Sequence, residues 1–294
     1  MDEKQWLADR FEEHRGHLRA VAYRMLGSLR EAEDAVQESW LLLSRSDTSG
    51  VANLGGWLTT VAGRVCLHML RARRSRGEEP LGVHLPDPIV TRADDTGPEA
   101  HAVLADSVGL ALLVVLDTLT PDERLAFVLH DMFGVPFEEI AGMVGRSPAA
   151  ARQLASRARR RVRGEAPPPD ADPGRQREVV DAFFAAARDG DFDALVAVLD
   201  PDVVLRGDGG TSRPGGTVLL RGAQNVAAQA LMFARLTPFI RPALVNGAPG
   251  VVVAPRGRPY SVMAFTVRAG KITAIEALSD VERLTELDLA VLDE

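Results

Sequence analysis

The chain has 294 residues, and its 41 acidic residues outnumber its 34 lysines and arginines, which gives a formal net charge of −7. This length supports two or three modest hydrophobic cores, and the negative charge argues against a protein that binds polyanions over its whole surface, so any nucleic-acid site must be local. No apolar run approaches the roughly 20 residues that span a bilayer, and the mixed-charge N-terminus shows no secretory signal, so we predict a cytoplasmic protein without membrane contact.

Two breaks in composition divide the chain. A stretch rich in proline, glycine and acidic residues occupies 76–100, and three consecutive prolines mark a second break. Clustered prolines oppose helix formation and favour stiff, extended spacers. The predicted organisation is multidomain, with an all-α unit at 1–78, a linker at 79–102, a second all-α unit at 103–163, a proline-rich linker at 164–174 and an α+β domain at 175–291.

The first unit is predicted to be helical throughout. Ser28 is a natural cap for its second helix, with Glu31 at the capping-box position. The inward face of that helix follows the helical period and consists of Ala32, Ala35, Val36, Ser39 and Leu43. Its outer face carries an acidic strip, whose members are Glu31, Asp34, Gln37, Glu38 and Trp40. Taken alone, that strip is most simply a solvated helix face.

A third helix follows in "LGGWLTTVAGRVCLHMLRARRSR". Its apolar positions predict a core face, made of Leu54, Trp57, Leu58, Val61, Val65 and Leu67. The lone Cys66 has no internal disulfide partner and is predicted to be a buried small hydrophobe. The helix ends in four arginines, Arg71, Arg73, Arg74 and Arg76, which also complement the helix dipole.

The second unit contains a helix-turn-helix pattern. An apolar stripe made of Phe137, Ile140, Ala141 and Val144 precedes a short "GRSP" turn, in which Ser147 is the predicted N-cap and Pro148 the first helical residue. The predicted inner face of the next helix is Ala151, Ala155, Ala158 and Val162. Its outer face then consists of Arg152, Gln153, Ser156, Arg157 and Arg160. No acidic residue lies between Ser147 and Arg163. Arginine and glutamine side chains can hydrogen-bond to base edges, and arginine also binds phosphates. We therefore favour a DNA-binding helix over a merely solvated helix face.

The C-terminal segment reads as an α+β domain of helices followed by strands with Gly and Pro turns. Val179, Val180, Phe183 and Phe184 are predicted to face its core. An isomerase or cyclase needs a carboxylate base beside an oxyanion donor, for which Asp208 and Tyr260 are the candidates. All six histidines lie at or before His130, so a histidine acid or base is excluded here. We therefore favour a regulatory role and predict no enzymatic activity.

These segments resemble the extracytoplasmic function (ECF) group of the sigma-70 family. "EAEDAVQESWLLL" is similar to sigma region 2.2, "GGWLTTVAGRVCLHMLRARRSR" to regions 2.3 and 2.4, and "LTPDERLAFVLHDMFGVPFEEIAGMVGRSPAAARQLASRARRRV" to region 4. The long C-terminal extension resembles the SigJ-type subgroup, whose members carry a SnoaL-like domain of the NTF2-like fold. The resemblance implies transcription initiation with core RNA polymerase at promoter DNA, and control in cis by the SnoaL-like domain.

The resemblance also implies roles for individual residues. The polymerase-binding set, which would dock on the β′ clamp, is Asp34, Gln37, Glu38 and Trp40. Region 4 would approach the β flap. The set implied for the minus-10 element is Asn53, Arg64, Arg71, Arg73 and Arg74. The set implied for the minus-35 element is Arg152, Gln153, Ser156, Arg157 and Arg160.

The resemblance further implies contact between the linker and the C-terminal domain, and between that domain and the sigma core. The linker residues concerned are His84, Leu85, Pro86, Asp87 and Pro88, which lack the tryptophan of the related Trp-Leu-Pro-Glu-Pro motif. Their expected partners in the "GDGG" loop are Asp208, Gly209 and Gly210. The segment "SDVERL" matches the related Asn-Pro-Asp-Lys motif poorly.

Several alternatives stay open. The chain is either a sigma factor or a helix-turn-helix regulator that does not need polymerase, and the acidic helix favours the former. A SnoaL-type ligand-binding or isomerase enzyme fused to such a regulator is the alternative from another class. The sequence indicates no metal and no cofactor. The SnoaL-like fold allows a small ligand, but the sequence does not identify one. Acidic residues elsewhere in the chain could occupy the arginine helix in place of DNA.

Overall fold

A computed structural model describes residues 3–47, 51–77, 83–93, 108–166, 168–210 and 216–292. The chain divides into two compact units. The helical unit comprises Met1–Glu79 and Leu113–Pro167, and the sheet unit comprises Pro80–Leu112 and Pro168–Glu294. Across the described residues, no helix is both long enough and apolar enough to cross a membrane.

The helical unit is built from helices joined by short turns. Its helices are α1 (Glu3–Leu26), α2 (Leu29–Leu43), α3 (Leu54–Ser75), α4 (Leu110–Asp117, which begins in the sheet unit), α5 (Pro121–Phe127), α6 (Phe137–Val144) and α7 (Pro148–Glu165). A π-helical turn, Val128–Met132, continues directly from α5. α3 and the π-helical turn pack closely at Gly63, where α3 has no side chain. A Cβ on Gly63 would stand 2.9 Å from Leu129 Cδ1.

The local signals in the sequence set the helix starts and the buried faces. The Ser28 hydroxyl accepts a hydrogen bond from the Glu31 amide, and the Ser147 hydroxyl accepts one from the Ala150 amide with Pro148 in the first turn. The buried residues of α2 are the predicted five, Ala32, Ala35, Val36, Ser39 and Leu43. These predictions are confirmed.

One predicted core residue of α7 is only half-buried. Val162 lies in the last turn of this 18-residue helix, three residues before its end. Leu154 is buried in addition to the predicted alanines. Val65 in α3 is likewise half-buried. The rest of the predicted inner face of α7, Ala151, Ala155 and Ala158, is fully buried.

Cys66 lies inside α3 with no exposed surface. Burial raises the pKa of the Cys66 thiol to about 12, and the nearby Arg124 opposes this rise only in part. Because the thiolate is the reactive form, we expect the folded protein to resist a thiol reagent such as DTNB and the unfolded protein to react fully. Absorbance at neutral pH with and without denaturant measures this, and rapid labelling of the folded protein would contradict it.

The sheet unit combines helices with one sheet. Its helices are α8 (Pro173–Asp189), α9 (Phe192–Val198), α10 (Ala223–Met232) and α11 (Val281–Glu286). Its strands are β1 (Val90–Arg92), β2 (Leu199–Asp208), β3 (Thr217–Arg221), β4 (Ile240–Val245), β5 (Ala248–Val253), β6 (Ser261–Arg268) and β7 (Lys271–Leu278). They form one sheet in the order β1-β4-β5-β6-β7-β2-β3, antiparallel except for the β2–β7 pair. The predicted α+β fold of this segment is confirmed.

Part of the segment expected to be a linker is a strand of this sheet. β1 pairs antiparallel with β4, with Val90 opposite Val245. Asn246, in the turn after β4, accepts a hydrogen bond from the Ile89 amide at 3.0 Å and donates one to the Val108 carbonyl at 3.0 Å. Asn246 has a φ of 49° and Gly247 a φ of 77°, as a tight Asn-Gly hairpin turn requires. Residues 89–92, in the middle of the predicted linker, are therefore anchored to the C-terminal domain.

The proline-rich segment is also anchored at its end. The Asp170 carboxylate accepts hydrogen bonds from the Ala269 and Gly270 amides at 2.9 and 3.0 Å. These bonds lower the pKa of Asp170. The Asp172 side chain then caps α8, which begins at Pro173. In α8, Val180 and Phe183 are buried and Val179 and Phe184 are half-buried against the core, as their spacing predicted.

A carboxyl group is buried within β7. Glu276 has no exposed surface, and one of its oxygens has no hydrogen-bond partner among the described residues, while the other accepts from Arg206 at 3.1 Å. Burial raises the pKa of the Glu276 carboxyl to about 7 against the attraction of Arg206. The unfolded chain therefore releases this proton at a lower pH than the folded protein does, and stability is lost as pH rises from about 4.5 to about 7.

We expect Glu276→Gln to raise the free energy of unfolding at pH 8 by about 2 to 3 kcal/mol and to change it much less at pH 5. The amide cannot ionise, so it avoids the cost of a buried charge. Denaturant titrations at the two pH values measure the difference. The same substitution at the exposed Glu282 is the control, and an equal effect of Glu276→Gln at both pH values would contradict the assignment.

Candidate functional site

The outer face of α7 is accessible. Its exposed side chains are the predicted minus-35 set, Arg152, Gln153, Ser156, Arg157 and Arg160. The buried alanines on the opposite side of the helix fix this orientation. Acids approach this face from neighbouring elements: Arg157 pairs with Glu123 at 2.7 Å, and Arg152 pairs with Glu138 at 3.4 Å. Arg160 has no ion-pair partner within the described ranges.

Asp122 and Glu123, in the first turn of α5, are here called the acidic pair. Asp122 binds Arg71 at 2.7 Å and approaches Arg146 at 3.6 Å, while Glu123 binds Arg157. Burial tends to raise the pKa of Glu123, but hydrogen bonds from Arg157 and Thr120 outweigh it and lower the pKa below its ordinary value. The acidic pair therefore holds arginines from both the predicted minus-10 and the predicted minus-35 sets.

The predicted minus-10 residues do not form one cluster. Asn53 caps the start of α3, where its side chain accepts from the Gly56 amide at 3.0 Å, and Arg64 is exposed in mid-helix. Arg71 and Arg74 are exposed near the other end, about 27 and about 32 Å along the axis from Asn53 at roughly 1.5 Å per residue. Arg73 is ion-paired with Glu31 of α2.

The predicted polymerase-binding residues lie along one side of α2. Asp34, Gln37 and Glu38 are exposed, and their side chains make no hydrogen bond or ion pair with any described residue. Trp40 is half-buried and packs on Phe11 with ring centroids 5.2 Å apart. Beside them Leu41 and Leu42 are 41% and 38% exposed, which the sequence-based prediction missed. Exposed carboxylates beside exposed leucines make a mixed surface suited to a protein partner.

The predicted linker residues and the "GDGG" loop meet in the sheet unit. Asp208 is buried, and its Oδ2 accepts from the Leu85 amide at 2.9 Å and from Arg283 Nη1 at 2.8 Å. Arg283 also donates to Asp87 at 2.5 and 3.0 Å and to the Leu85 carbonyl at 2.6 Å. These four residues, Leu85, Asp87, Asp208 and Arg283, are here called the linker clamp.

The rest of the predicted linker set surrounds the clamp. Pro86 and Pro88 are buried, and the exposed His84 places Nδ1 3.5 Å from Asp208 Oδ2. The Gly210 amide donates to Asp208 Oδ1 at 3.1 Å. Gly210 has a φ of 62°, and a side chain there would collide with Asp280.

Asp280 caps α11, the helix that carries Arg283. The segment "SDVERL", which matched the related motif poorly, therefore supplies the cation of the linker clamp. The sequence-based prediction missed Arg283 because this arginine lies 196 residues from Asp87 along the chain.

Asp208 and Tyr260 also line a cavity of about 240 Å³ between the sheet and α8 and α10. The Asp208 carboxylate already accepts hydrogen bonds from the Leu85 and Gly210 amides and from Arg283, so both of its oxygens are engaged within the protein. No group of three or more potential metal ligands is present in the part of the chain that the structure describes.

Comparisons with known proteins agree with this architecture. The "Sigma-70 region 2" family profile matches residues 10–76, and the "Sigma-70, region 4" profile matches residues 109–162. The chain is 41% identical to the ECF RNA polymerase sigma factor SigJ of Mycobacterium tuberculosis over 94% of its own length and 92% of the relative's. It is 35% identical to the probable ECF RNA polymerase sigma factor SigI of the same species over 93% of both chains.

A solved structure agrees over the whole chain. The crystal structure of Mycobacterium tuberculosis SigJ matches with a TM-score of 0.78 and 39% sequence identity, covering 96% of this chain and 99% of that one. The match includes both helical sigma segments and the sheet domain, so the predicted family, fold class and function are confirmed together. With two sigma-70 regions in order and a full-length relative at this identity, the chain belongs to the ECF RNA polymerase sigma factors of the sigma-70 family.

Proposed function

We propose that the side of α2 carrying Asp34, Gln37 and Glu38 docks on the β′ clamp of core RNA polymerase. The observation that carries this proposal is the mixed surface described above, in which carboxylates that pair with no described residue adjoin the exposed Leu41 and Leu42. A regulator that works without polymerase has no need of such a surface. Region 4 approaches the β flap, and this encounter takes place in the cytoplasm, where polymerase works.

A pull-down with core RNA polymerase tests this docking surface. Asp34→Asn combined with Glu38→Gln should reduce retention of the polymerase at least tenfold, because both carboxylates are lost from one helix face. Glu13→Gln, an exposed carboxylate on α1 paired with Arg10, is the matched control and should bind as the wild type does. Equal binding of the double variant and the wild type would overturn the assignment.

We assign promoter contacts to the two arginine sets. The outer face of α7 enters the minus-35 major groove, and the arginines at the end of α3 contact the minus-10 element, with Asn53 and Arg64 on the same helix. Trp57 packs half-buried against the core cluster around Phe11 and Leu18, which favours a structural role over base capture. DNA has to displace the acidic pair, since Arg71 and Arg157 are held by its carboxylates.

The sheet unit controls activity in cis rather than by catalysis. Its hold on the linker through Asp208 and Asn246 supports this proposal, since the linker joins the two sigma regions along the chain. Run-off transcription with core polymerase should differ between the full chain and a chain that ends before Ala171. This truncation removes β4, the strand that pairs with β1 of the linker, and so it releases the linker as well as deleting the domain. Unchanged transcription would therefore overturn both control by the domain and control through the linker.

A further inference from the structure

The cavity of the sheet unit is enclosed largely by apolar side chains. Phe183, Phe184, Leu205, Ile240 and Met263 contribute walls, and Phe233 stands at the mouth, where α10 ends beside the 70% exposed Met232. A cavity of about 150 Å³ lined by such residues holds benzene, whereas drug-sized ligands occupy roughly 300–1,000 Å³. The 240 Å³ observed here lies between those limits and suits one or two fused rings.

The walls favour an aromatic molecule. Phe183 and Phe184 stand edge to face at 77°, and Phe184 meets Phe265 at 82° with centroids 5.6 Å apart. A planar ligand can extend this edge-to-face arrangement, which suits the ring quadrupole. No arginine, lysine or histidine is among the described lining residues, and the one carboxylate, Asp208, is already paired with Arg283. A charged ligand would therefore find no unpaired counter-ion among the described lining residues to offset its desolvation.

Polar recognition is available at one point of the wall. Gln229 of α10 lines the cavity and is half-buried, and its side-chain carboxamide has no hydrogen-bond partner among the described residues. An amide so placed offers both a donor and an acceptor. The ligand that fits this cavity carries one neutral polar group, such as a hydroxyl, on an aromatic frame.

The cavity and the linker clamp share a residue. Asp208 lines the cavity while its carboxylate binds the Leu85 amide and Arg283. Ser279, also in the cavity wall, donates its amide to the Asp208 carbonyl at 2.6 Å and its hydroxyl to Ser261 at 3.0 Å. We propose that the cavity binds a small, neutral, aromatic molecule, and that its occupancy stabilises the linker clamp through Asp208.

The two parts of this proposal are measured without transcription, so they fail or succeed independently of the proposed function. The probe is 2-naphthol, with 2-naphthoate as its anionic match, titrated by calorimetry against the full-length protein. Binding of 2-naphthol with at least tenfold preference over the anion supports the site. Ala230→Phe, which fills the cavity, should abolish binding, and Gln229→Leu should weaken it several-fold. Gln224→Leu, on the exposed side of the same helix, should not.

Hydrogen exchange at the Leu85 amide measures the coupling. If the clamp opens only in the unliganded protein, 2-naphthol at ten times its Kd slows this exchange roughly tenfold. Failure of 2-naphthol to bind below 1 mM, or binding that Ala230→Phe and Gln229→Leu leave intact, would overturn the site. Binding with unchanged Leu85 exchange would overturn the coupling.

Discussion

Replacing Arg283 with methionine should lower the free energy of unfolding of the sheet unit by about 3 to 5 kcal/mol. The guanidinium is the cation that pairs with both Asp208 and Asp87, and Asp208 is buried. Removing one partner of a buried ion pair leaves an uncompensated charge, whose desolvation is no longer offset. Denaturant titration of the full-length protein, followed through the transition of this unit, measures the loss.

The same substitution should also release the linker. Leu85 loses the hydrogen bond from Arg283 to its carbonyl, so limited proteolysis should cut within residues 79–93 faster than in the wild type. Arg188→Met is the matched control, because Arg188 is exposed on α8 and its one ion pair with a described residue is to the exposed Asp189. A loss below about 1 kcal/mol, the range of a surface ion pair, would show that the clamp does not hold the linker.

Replacing Arg157 with alanine should weaken promoter binding by the polymerase holoenzyme by about 1 to 3 kcal/mol, which corresponds to a factor of roughly 5 to 150. Arg157 lies mid-way along the exposed face of α7, where its fork can reach a guanine edge or a phosphate. Fluorescence anisotropy with DNA that carries the protein's own upstream promoter measures the change. Arg163→Ala, in the last turn of the same helix, should have a smaller effect.

The substitution Glu123→Gln distinguishes direct contact of Arg157 with DNA from a purely structural role of Arg157. It breaks the ion pair with Arg157 and leaves the arginine in place, so it should strengthen DNA binding where Arg157→Ala weakens it. Both variants remove the same internal contact. A structural role would therefore move them in the same direction, and equal losses of binding would contradict direct contact with DNA.

Predictions from the sequence succeeded where the signals were local. The buried face of α2, the cap at Ser147 and the exposed face of α7 follow from a period of 3.6 and from residues three positions apart. The linker clamp joins residues separated by 75 to 198 positions, and nothing near Arg283 indicates that its partners are Asp87 and Asp208.

Other contacts were not predicted because the residues that make them already had a local structural explanation. Asp122 and Glu123 have an ordinary role in the first turn of α5, where Thr120 and Glu123 form a capping box, so their second role as arginine partners gave no separate signal. β1 has only three residues and pairs with a strand about 150 positions away, so neither its length nor its neighbours distinguished it from linker. The cavity could not be predicted either, because it depends on how α8 and α10 pack against the sheet.

If Arg71 and Arg157 contact DNA as proposed, the acidic pair should also change how promoter affinity responds to ionic strength. Each arginine that neutralises a DNA phosphate releases condensed cations, so affinity normally falls with added salt in proportion to the number of such contacts. Arg71 and Arg157 are paired with carboxylates in the free protein, so in the proposed promoter complex Asp122 and Glu123 would take up cations from solution as the arginines move to DNA. We therefore expect fewer ions to be released overall, and promoter affinity to fall less steeply with salt than the number of proposed arginine contacts alone would require.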